Sequence, residues 1–261
     1  MTQYQQLSKL EPDAPIAVIE QGEPLDTTDL ILVADFKVKD RMAVRCDLPF
    51  VLDTTQAIAR MYGANVIRIT GHKLPMTFGS TCHRIHGQFY KGSSIRKYLD
   101  RIYWNPTHKL EIDDFRRSRE NAPGITNSYL NVVYSTMFRP LSSYEVELRA
   151  YFDPETSYFK RSEFDKQNLK LEQMFFDLLE LHLRKKRKQL VEDGLARTTA
   201  GSDLQTAVDQ LMRAYIMDRD SIYLAIERDV HRLDAEYLSV QRELVNMELY
   251  KEYKFRVPIT E

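Results

Sequence analysis

Apolar residues recur along this chain with two spacings, one typical of strands and one typical of helices. Three runs in its first part are rich in β-branched or alternating apolar residues: Leu30–Val38, 65–70 and 80–90. A helical segment lies between the first two runs, with Asp53 placed to cap its start and Gly63 placed to end it. The order strand, helix, strand, strand predicts a small α+β unit.

A hairpin pattern follows in the second part of the chain. Residues 129–138 and 144–152 alternate between apolar and polar side chains, which is typical of half-buried strands. Between them, Arg139-Pro140-Leu141-Ser142-Ser143 supplies residues that favour a turn. The pattern therefore predicts two antiparallel strands joined by a short loop.

Two long helical stretches come next. In residues 163–194, five apolar residues fall on one side at helical spacing: Phe164, Leu171, Phe175, Leu178 and Leu179. The basic run 184–188 is placed to complement the negative end of the helix dipole. A second helical region runs from about 204 to 253, and its polar segment 217–221 predicts a break.

These elements predict an α+β protein with two domains. A polar N-terminal arm covers residues 1–25 and a small β-α-β-β domain covers 26–92. Gly92-Ser93-Ser94 marks the predicted boundary. Residues 93–261 form a domain with a β-hairpin, or a sheet, and two long helices.

Composition narrows the class of protein. Hydrophobic residues make up 43% of the chain and charged residues 29%, so the chain can bury a core. The net charge of −1 argues against a nucleic-acid partner, because such proteins neutralise phosphates with excess positive charge. No apolar run approaches the roughly 20 residues of a membrane helix, so we expect no transmembrane segment. The N-terminal residues lack the apolar stretch of a signal peptide, which leaves two interpretations: a cytoplasmic protein, or a mature chain whose export signal has been removed.

Small and polar residues around the first helix occur in a recognisable order. They are Cys46, Ala57, Ala59, Gly63-Ala64-Asn65, Gly71-His72-Lys73 and Thr81-Cys82-His83-Arg84. On these residues the segment resembles small envelope domains of Gram-negative lipoproteins. The resemblance implies a disulfide between Cys46 and Cys82 and hence an oxidising compartment. The alternative is two buried free thiols in a cytosolic protein.

Three histidines close to Cys82 in the sequence raise the question of a metal site. On a strand, His86 shares a face with Cys82, whereas His83 points to the opposite face. His72 lies on a preceding segment, so these groups converge only with help from the loop. We therefore expect no metal here and interpret His72, His83 and His86 as surface or structural residues, while keeping them as weak metal-ligand candidates.

Three further segments occur in a second recognisable order. They are Leu110-Glu111-Ile112-Asp113-Asp114-Phe115, Ala150-Tyr151-Phe152-Asp153-Pro154-Glu155-Thr156-Ser157-Tyr158 and Leu171-Glu172-Gln173-Met174-Phe175-Phe176-Asp177. On these residues, roughly positions 100–250 resemble a family of bacterial proteins described as zinc-dependent proteases. The third segment aligns with a His-Glu-Gln-x-His-Phe-Asp helix of that family. The resemblance implies two zinc-binding histidines, one helical turn apart, with a glutamate between them as general base.

The chain departs from that pattern at the metal ligands. Leu171 and Phe175 stand where the family has histidines, and neither side chain has an atom that binds zinc. Glu172 remains, but without zinc there is no acidified water for it to activate. We expect no cofactor and no metalloprotease activity, with Glu172 in a structural role and both apolar side chains packed in the core.

Three functions compete at this point. The first is a non-catalytic envelope protein, facing the periplasm or the cell surface, that binds a protein or cell-wall partner. The second is a hydrolase with a relocated or metal-dependent site at the histidines named above or at Glu172. The third is a cytosolic scaffold that self-associates through its charged C-terminal helix.

Overall fold

The chain folds into two compact α+β units. The computed structural model describes residues 2–12, 14–38, 47–76, 82–107, 109–122, 124–139 and 143–260. The first unit is Met1–Asp100 and the second is Arg101–Glu261. Helices and mixed sheets occur together, which confirms the α+β class predicted from the sequence.

The first unit is a five-stranded sheet with one helix packed against it. Its elements are β1 (Thr2–Gln3), β2 (Ala17–Ile19), β3 (Leu30–Val38), α1 (Leu48–Met61), β4 (Val66–Lys73) and β5 (Arg84–Gly92). The strand order in the sheet is β1-β3-β5-β4-β2, with β2 parallel to β4 and the other neighbours antiparallel. The predicted strand, helix, strand, strand order corresponds to β3, α1, β4 and β5.

Helix α1 begins earlier than the sequence pattern predicted. Its N-cap is Asp47, whose carboxylate accepts a hydrogen bond from the Phe50 amide at 2.9 Å. Pro49 suits the first turn because its missing N–H has no partner there in any case. The prediction of a cap at Asp53 is wrong, since the cap and proline upstream are the stronger start signal. Gly63 follows the helix with φ of 72°, as predicted for a helix end.

The core of the first unit lies between α1 and the sheet. The Phe36 and Phe89 rings stack there with centroids 4.4 Å apart. Val51 and Ala59 of α1 are buried against this face of the sheet. Burying each large apolar side chain stabilises the fold by roughly 1.5–3 kcal/mol.

The second unit is organised around a long hairpin and three helices. Its elements are β6 (Ile102–Tyr103), β7 (Arg117–Ser118), β8 (Thr126–Asn127), β9 (Leu130–Arg139), β10 (Ser143–Phe152), β11 (Tyr158–Phe159), α2 (Lys166–Asp193), β12 (Leu195–Ala196), α3 (Ala200–Arg228), α4 (Arg232–Asn246) and β13 (Lys254–Thr260). Short 3₁₀ turns lie at Ile112–Asp114 and Glu248–Tyr250, and a further one, Arg96–Tyr98, lies at the end of the first unit. Among the described helices of both units, none is long and apolar enough to cross a membrane.

Strand β10 is the centre of the main sheet in the second unit. It pairs along its length with β9, which confirms the predicted antiparallel hairpin, although turn residues 140–142 lie outside the described part. On its other side β10 pairs with β13 and β6, and β12 adds to β13 in parallel. A separate three-stranded sheet has the order β7-β11-β8. Helix α2 packs on β10 and β13, between α3 and α4.

Helix α2 starts with a reciprocal cap. The Asp165 carboxylate accepts from the Asn168 amide at 2.8 Å, and the Asn168 side chain accepts from the Asp165 amide at 3.1 Å. Phe164 therefore lies outside the helix and packs on Phe159, so its predicted place in the helical stripe is wrong. At the other end Gly194 has φ of 78°, a conformation that favours glycine.

The helical region after α2 breaks later than predicted. Helix α3 continues through residues 217–221, because a polar run without glycine or proline does not by itself end a helix. The chain turns instead at Asp229, whose carboxylate accepts from the His231 amide at 3.1 Å. Helix α4 starts at the next residue, Arg232.

Candidate functional site

Helix α2 is buried around most of its middle, although many of its residues are polar. A row of polar side chains at spacings of four and three residues lies along one side of it: Gln173, Asp177, Glu180, Arg184 and Arg187. Glu172 is buried next to this row, on a neighbouring face of the helix. These two sets have different surroundings, and Glu172 borders a cavity.

Asp177, near the start of the buried row, has hydrogen-bond donors for both of its carboxylate oxygens. This carboxylate is fully buried and accepts from Trp104 Nε1 at 2.7 Å, Gln173 Nε2 at 2.8 Å and Gln241 Nε2 at 2.5 Å. Lys109 Nζ lies 3.3 Å from the same group. A buried carboxylate is stable only when donors replace its water, so Asp177 joins α2 to α4 and to the segment after β6.

An ion cluster continues the row toward the end of α2. Arg187 Nη1 donates to Glu180 Oε1 at 2.7 Å, and Arg187 Nη2 donates to the Leu148 carbonyl at 2.8 Å. Arg184 donates to Glu180 at 3.1 Å and to the Leu244 carbonyl at 2.8 Å. The interpretation of this basic run as a dipole complement is therefore wrong for its two arginines. They are buried partners of a glutamate and of backbone carbonyls, and the last turn of α2 holds no basic residue.

Glu172 lies in a different environment, between α2 and the β8 segment. It is 5% exposed, and its Oε1 accepts a hydrogen bond from the Thr126 hydroxyl. Burial raises the pKa of this carboxyl, and the hydroxyls of Ser128 and Thr126 and the charge of Arg219 offset the rise only in part. Glu172 therefore keeps a proton to higher pH than an exposed glutamate, and in that form it can donate a hydrogen bond.

A cavity of about 330 Å³ opens beside Glu172. Three parts of the second unit line it: α2, α3 and the segment around β8. The lining residues used below are Asn127, Ser128, Asn168, Leu171, Glu172, Phe175, Tyr215, Arg219, Asp220 and Tyr223. Its size and its mixture of apolar walls with a few polar groups are typical of a small-molecule site.

Two hydroxyl groups at this cavity are buried without a hydrogen-bond partner. Tyr215 is 1% exposed, and its phenolic oxygen makes no well-oriented hydrogen bond to the described residues, although the Arg219 guanidinium lies close to it. Burial raises the pKa of this phenol, and the nearby Arg219 offsets the rise only in part. The Ser128 oxygen is also buried; it lies close enough to Glu172 to lower the pKa of that carboxyl, yet it makes no well-oriented hydrogen bond. Such groups are rare in folded proteins and each costs about 1–3 kcal/mol when nothing pairs with it.

The positive charge at the cavity already has a counterion. Arg219 donates from Nε and Nη2 to Asp220 Oδ1, at 3.0 and 2.8 Å. Its guanidinium lies 6.0 Å from the centre of the Tyr215 ring. Arg219 and Asp220 therefore form an ion pair at the cavity.

Leu171 and Phe175, the positions where the predicted zinc-protease pattern would need histidines, line the same cavity. Leu171 and Phe175 line it on either side of Glu172, because residues four apart share one helical face. Phe175 is buried and Leu171 is half-buried. Phe175 is therefore packed in the core as expected, whereas Leu171 is only partly packed, and both side chains line the cavity. Neither can hold a metal.

Two of the three histidines of the first unit lie side by side, and the third lies apart from them. His72 Nε2 and His83 Nδ1 lie 2.8 Å apart. His86 is exposed, and its ring covers Gly71, where an added Cβ would lie 2.1 Å from the ring. Within the described ranges, no group of three or more His, Cys, Asp or Glu side chains is arranged to hold a metal ion.

Of the two cysteines, the structure describes Cys82. Cys82 is buried, with 6% of its surface exposed. Cys46 lies outside the described residues. The disulfide between Cys46 and Cys82 therefore stays a prediction.

Sequence patterns pointed to Glu172 but missed its neighbours. Tyr215 and Arg219 lie four residues apart on α3 and so share one face, which is the one local signal that could have marked them. Thr126 and Ser128 come from a short strand and the loop after it. Their approach to α2 depends on long-range packing, which no local pattern encodes.

The resemblance to zinc-dependent proteases stays a prediction from the order of three segments and from Glu172. Leu171 and Phe175, where that pattern would place zinc ligands, are apolar and border a cavity that contains polar groups of another kind. No family model, no curated protein and no solved structure matches this chain.

Proposed function

We propose that this protein is a non-catalytic protein of the cell envelope that binds a protein or cell-wall partner, and that the Glu172 cavity holds part of that partner. One observation carries the proposal: Leu171 and Phe175 border the cavity on both sides of Glu172, where metal-binding side chains would be needed for protease chemistry. The site keeps the glutamate and a space for a ligand, but Leu171 and Phe175 offer no metal-binding atom.

The polar groups of the cavity support binding over simple packing. A packed core would leave no unpaired hydroxyls, since each one lowers stability. Ser128 and Tyr215 retain such hydroxyls next to a cavity of about 330 Å³. A ligand that pairs with them would recover that cost on binding.

The envelope location is supported by the resemblance of the first unit to envelope domains. It also rests on the predicted disulfide between Cys46 and Cys82, which forms only in an oxidising compartment. Neither of these two arguments for the envelope location involves the cavity. The proposed location and the proposed binding site can therefore be tested, and found wrong, separately.

The proposal is tested by filling the cavity. Leu171→Trp adds bulk at a half-buried position on the cavity wall, whereas Leu249→Trp makes the same exchange at a position that is 90% exposed. Binding to purified cell-wall peptidoglycan and to envelope protein extract is measured by co-sedimentation. Leu171→Trp should weaken binding by at least about ten-fold and Leu249→Trp should not. Equal binding by both variants would contradict the proposal.

A hydrolase is the second candidate, and the burial of Glu172 favours it. A carboxyl with a raised pKa beside two hydroxyls is an arrangement that suits a general acid. On this alternative, Glu172→Gln abolishes turnover of a chromogenic ester, glycoside or peptide, while His72→Ala reports on the histidine pair of the first unit. Absence of turnover by the unaltered protein favours the binding function.

A further inference from the structure

The donors and acceptors of the Glu172 cavity point to a class of ligand. We propose that the cavity binds one ring of an uncharged, hydroxyl-rich sugar, so that the partner is a glycan strand of the cell wall rather than a protein. This inference rests on the proposed binding function and makes it more specific. Charge, hydrogen bonding and shape each support it.

The cavity has no unpaired charge to offer a charged ligand. Arg219 is neutralised by two hydrogen bonds to Asp220, at 2.8 and 3.0 Å. Glu172 is 5% exposed, and burial favours its neutral form. A ligand ammonium or carboxylate placed there would lose its water without gaining a free counterion, which is costly.

The hydrogen-bonding groups form a mixed set that suits hydroxyls. The Tyr215 and Ser128 hydroxyls are buried and make no well-oriented hydrogen bond to the described residues, although Arg219 and Glu172 lie near them. Each hydroxyl can both donate and accept. Asn127 and Asn168 add amide side chains to the lining. A sugar hydroxyl also donates and accepts at once, so it can satisfy such a set in either direction. An aliphatic ligand would leave both buried hydroxyls unpaired.

The apolar walls suit the C–H faces of a sugar ring. Phe175 and Leu171 lie on the α2 side, and the Tyr223 ring lies on the α3 side. Tyr223 is 47% exposed, so the cavity meets solvent there and a longer glycan can continue outward. The volume of about 330 Å³ is at the small end for ligand sites, which suits a single ring.

The test compares three trisaccharides that differ in charge, by titration calorimetry with the full chain. They are an uncharged trimer of N-acetylglucosamine, its cationic de-acetylated form and the anionic trigalacturonate. The uncharged trimer should bind at least about ten-fold more tightly than either charged one. Equal or tighter binding of a charged trimer would overturn the charge argument.

Tyr215→Phe gives the matched variant, because it removes only the unpaired hydroxyl. It should weaken binding of the uncharged trimer by about ten-fold, whereas Tyr4→Phe, which removes an exposed hydroxyl in the first unit, should leave it unchanged. Unaltered affinity in Tyr215→Phe would overturn the placement of the sugar.

The two proposals fail in different ways. If no trimer binds, but a protein or peptide partner binds and is lost in Leu171→Trp, the glycan assignment is wrong and the binding function stands. If Leu171→Trp affects no partner of any kind, the cavity is not the binding site and both proposals fail.

Discussion

Tyr215 contributes a buried phenol whose hydroxyl makes no well-oriented hydrogen bond in the described part of the protein, although Arg219 lies near it. Its ring is well packed, since the residue is 1% exposed and lies against the His182 ring at 6.1 Å. The ring therefore stabilises the unit, while the hydroxyl costs free energy. A group of this kind makes sense where a ligand supplies the missing partner.

Tyr215→Phe should accordingly keep or raise the free energy of unfolding, by up to about 1 kcal/mol, because an unpaired buried hydroxyl is removed. Urea unfolding of the ligand-free protein gives the value. Tyr144→Phe is the control, since the Tyr144 hydroxyl donates to the Arg197 carbonyl at 2.9 Å. That variant should lose about 0.5–1.5 kcal/mol. A clear destabilisation by Tyr215→Phe would mean that its hydroxyl is already paired.

Glu172 should make the stability of the second unit depend on pH. Its pKa is raised in the folded state, so the folded protein binds the proton more tightly than the unfolded chain, and stability falls as pH rises above the ordinary value of 4.5. Glu172→Gln imitates the protonated form. It should be more stable than the unaltered protein at neutral pH, and this difference should shrink as the pH falls toward 4.5. Unfolding free energies measured between pH 4 and 8 test this, and a difference independent of pH would contradict it.

The position of Glu172 was predictable, but its environment was not. Its place between Leu171 and Phe175 follows from local spacing on a helix, which the sequence displays directly. The pKa is raised by burial and partly offset by the hydroxyls of Thr126 and Ser128, which are more than forty residues away in the chain. Contacts over such distances come from the packing of β8 against α2, and one sequence does not reveal them.

Helix α2 carries the row of buried polar side chains that connects the elements of the second unit. Its buried row connects α2 to α4 and β10 through side chains that accept or donate within the core. Such rows are costly when incomplete, since each unpaired member stays desolvated. These hydrogen bonds keep α2 fixed in position, and with it Leu171, Glu172 and Phe175.

Asp177→Ala should therefore be strongly destabilising, by about 3 kcal/mol or more, because it leaves the Trp104 and Gln241 donors without their partner. Asp234→Ala is the control. Asp234 also pairs with a lysine, Lys170, but it is 77% exposed, so its loss should cost about 0–1 kcal/mol. The free energy of unfolding of both variants is measured by chemical unfolding. Similar small losses of stability in the two variants would show that the buried polar row does not hold α2 in position.

Strands and helices differed in how far local patterns predicted them. The β9–β10 hairpin was predictable because two-residue alternation and a turn are local signals. The break in the C-terminal helices was misplaced, since the polar residues at 217–221 lie on an exposed helix face rather than in a turn. The buried arginines of α2 were also misread, because a basic run on a helix usually marks a solvated surface.

The two units carry different parts of the account. The second unit holds the cavity, whereas the first unit contains the residues on which the proposed envelope location and the predicted disulfide rest. Each unit has its own sheet and its own buried core. Location and binding can therefore be tested on separate parts of the chain.

The disulfide is tested by thiol titration of the denatured protein. We expect no reactive thiol before reduction and both cysteines after it. Reduction should lower the stability of the first unit by about 3–4 kcal/mol, because the unfolded chain regains freedom. The double variant Cys46→Ser, Cys82→Ser should match the reduced protein and should not respond to reductant. Two thiols before reduction would instead favour a cytosolic protein.

The measurement that tests the non-catalytic site most directly is the zinc content of the protein, purified without chelator and then equilibrated with a small excess of zinc. Leu171 and Phe175 leave the cavity without metal-binding atoms at the two essential positions, so elemental analysis should find no stoichiometric zinc. The double variant Glu172→Gln, Tyr215→Phe should give the same result. Stoichiometric zinc in the unaltered protein, lost in that variant, would place a metal in the cavity and contradict the account.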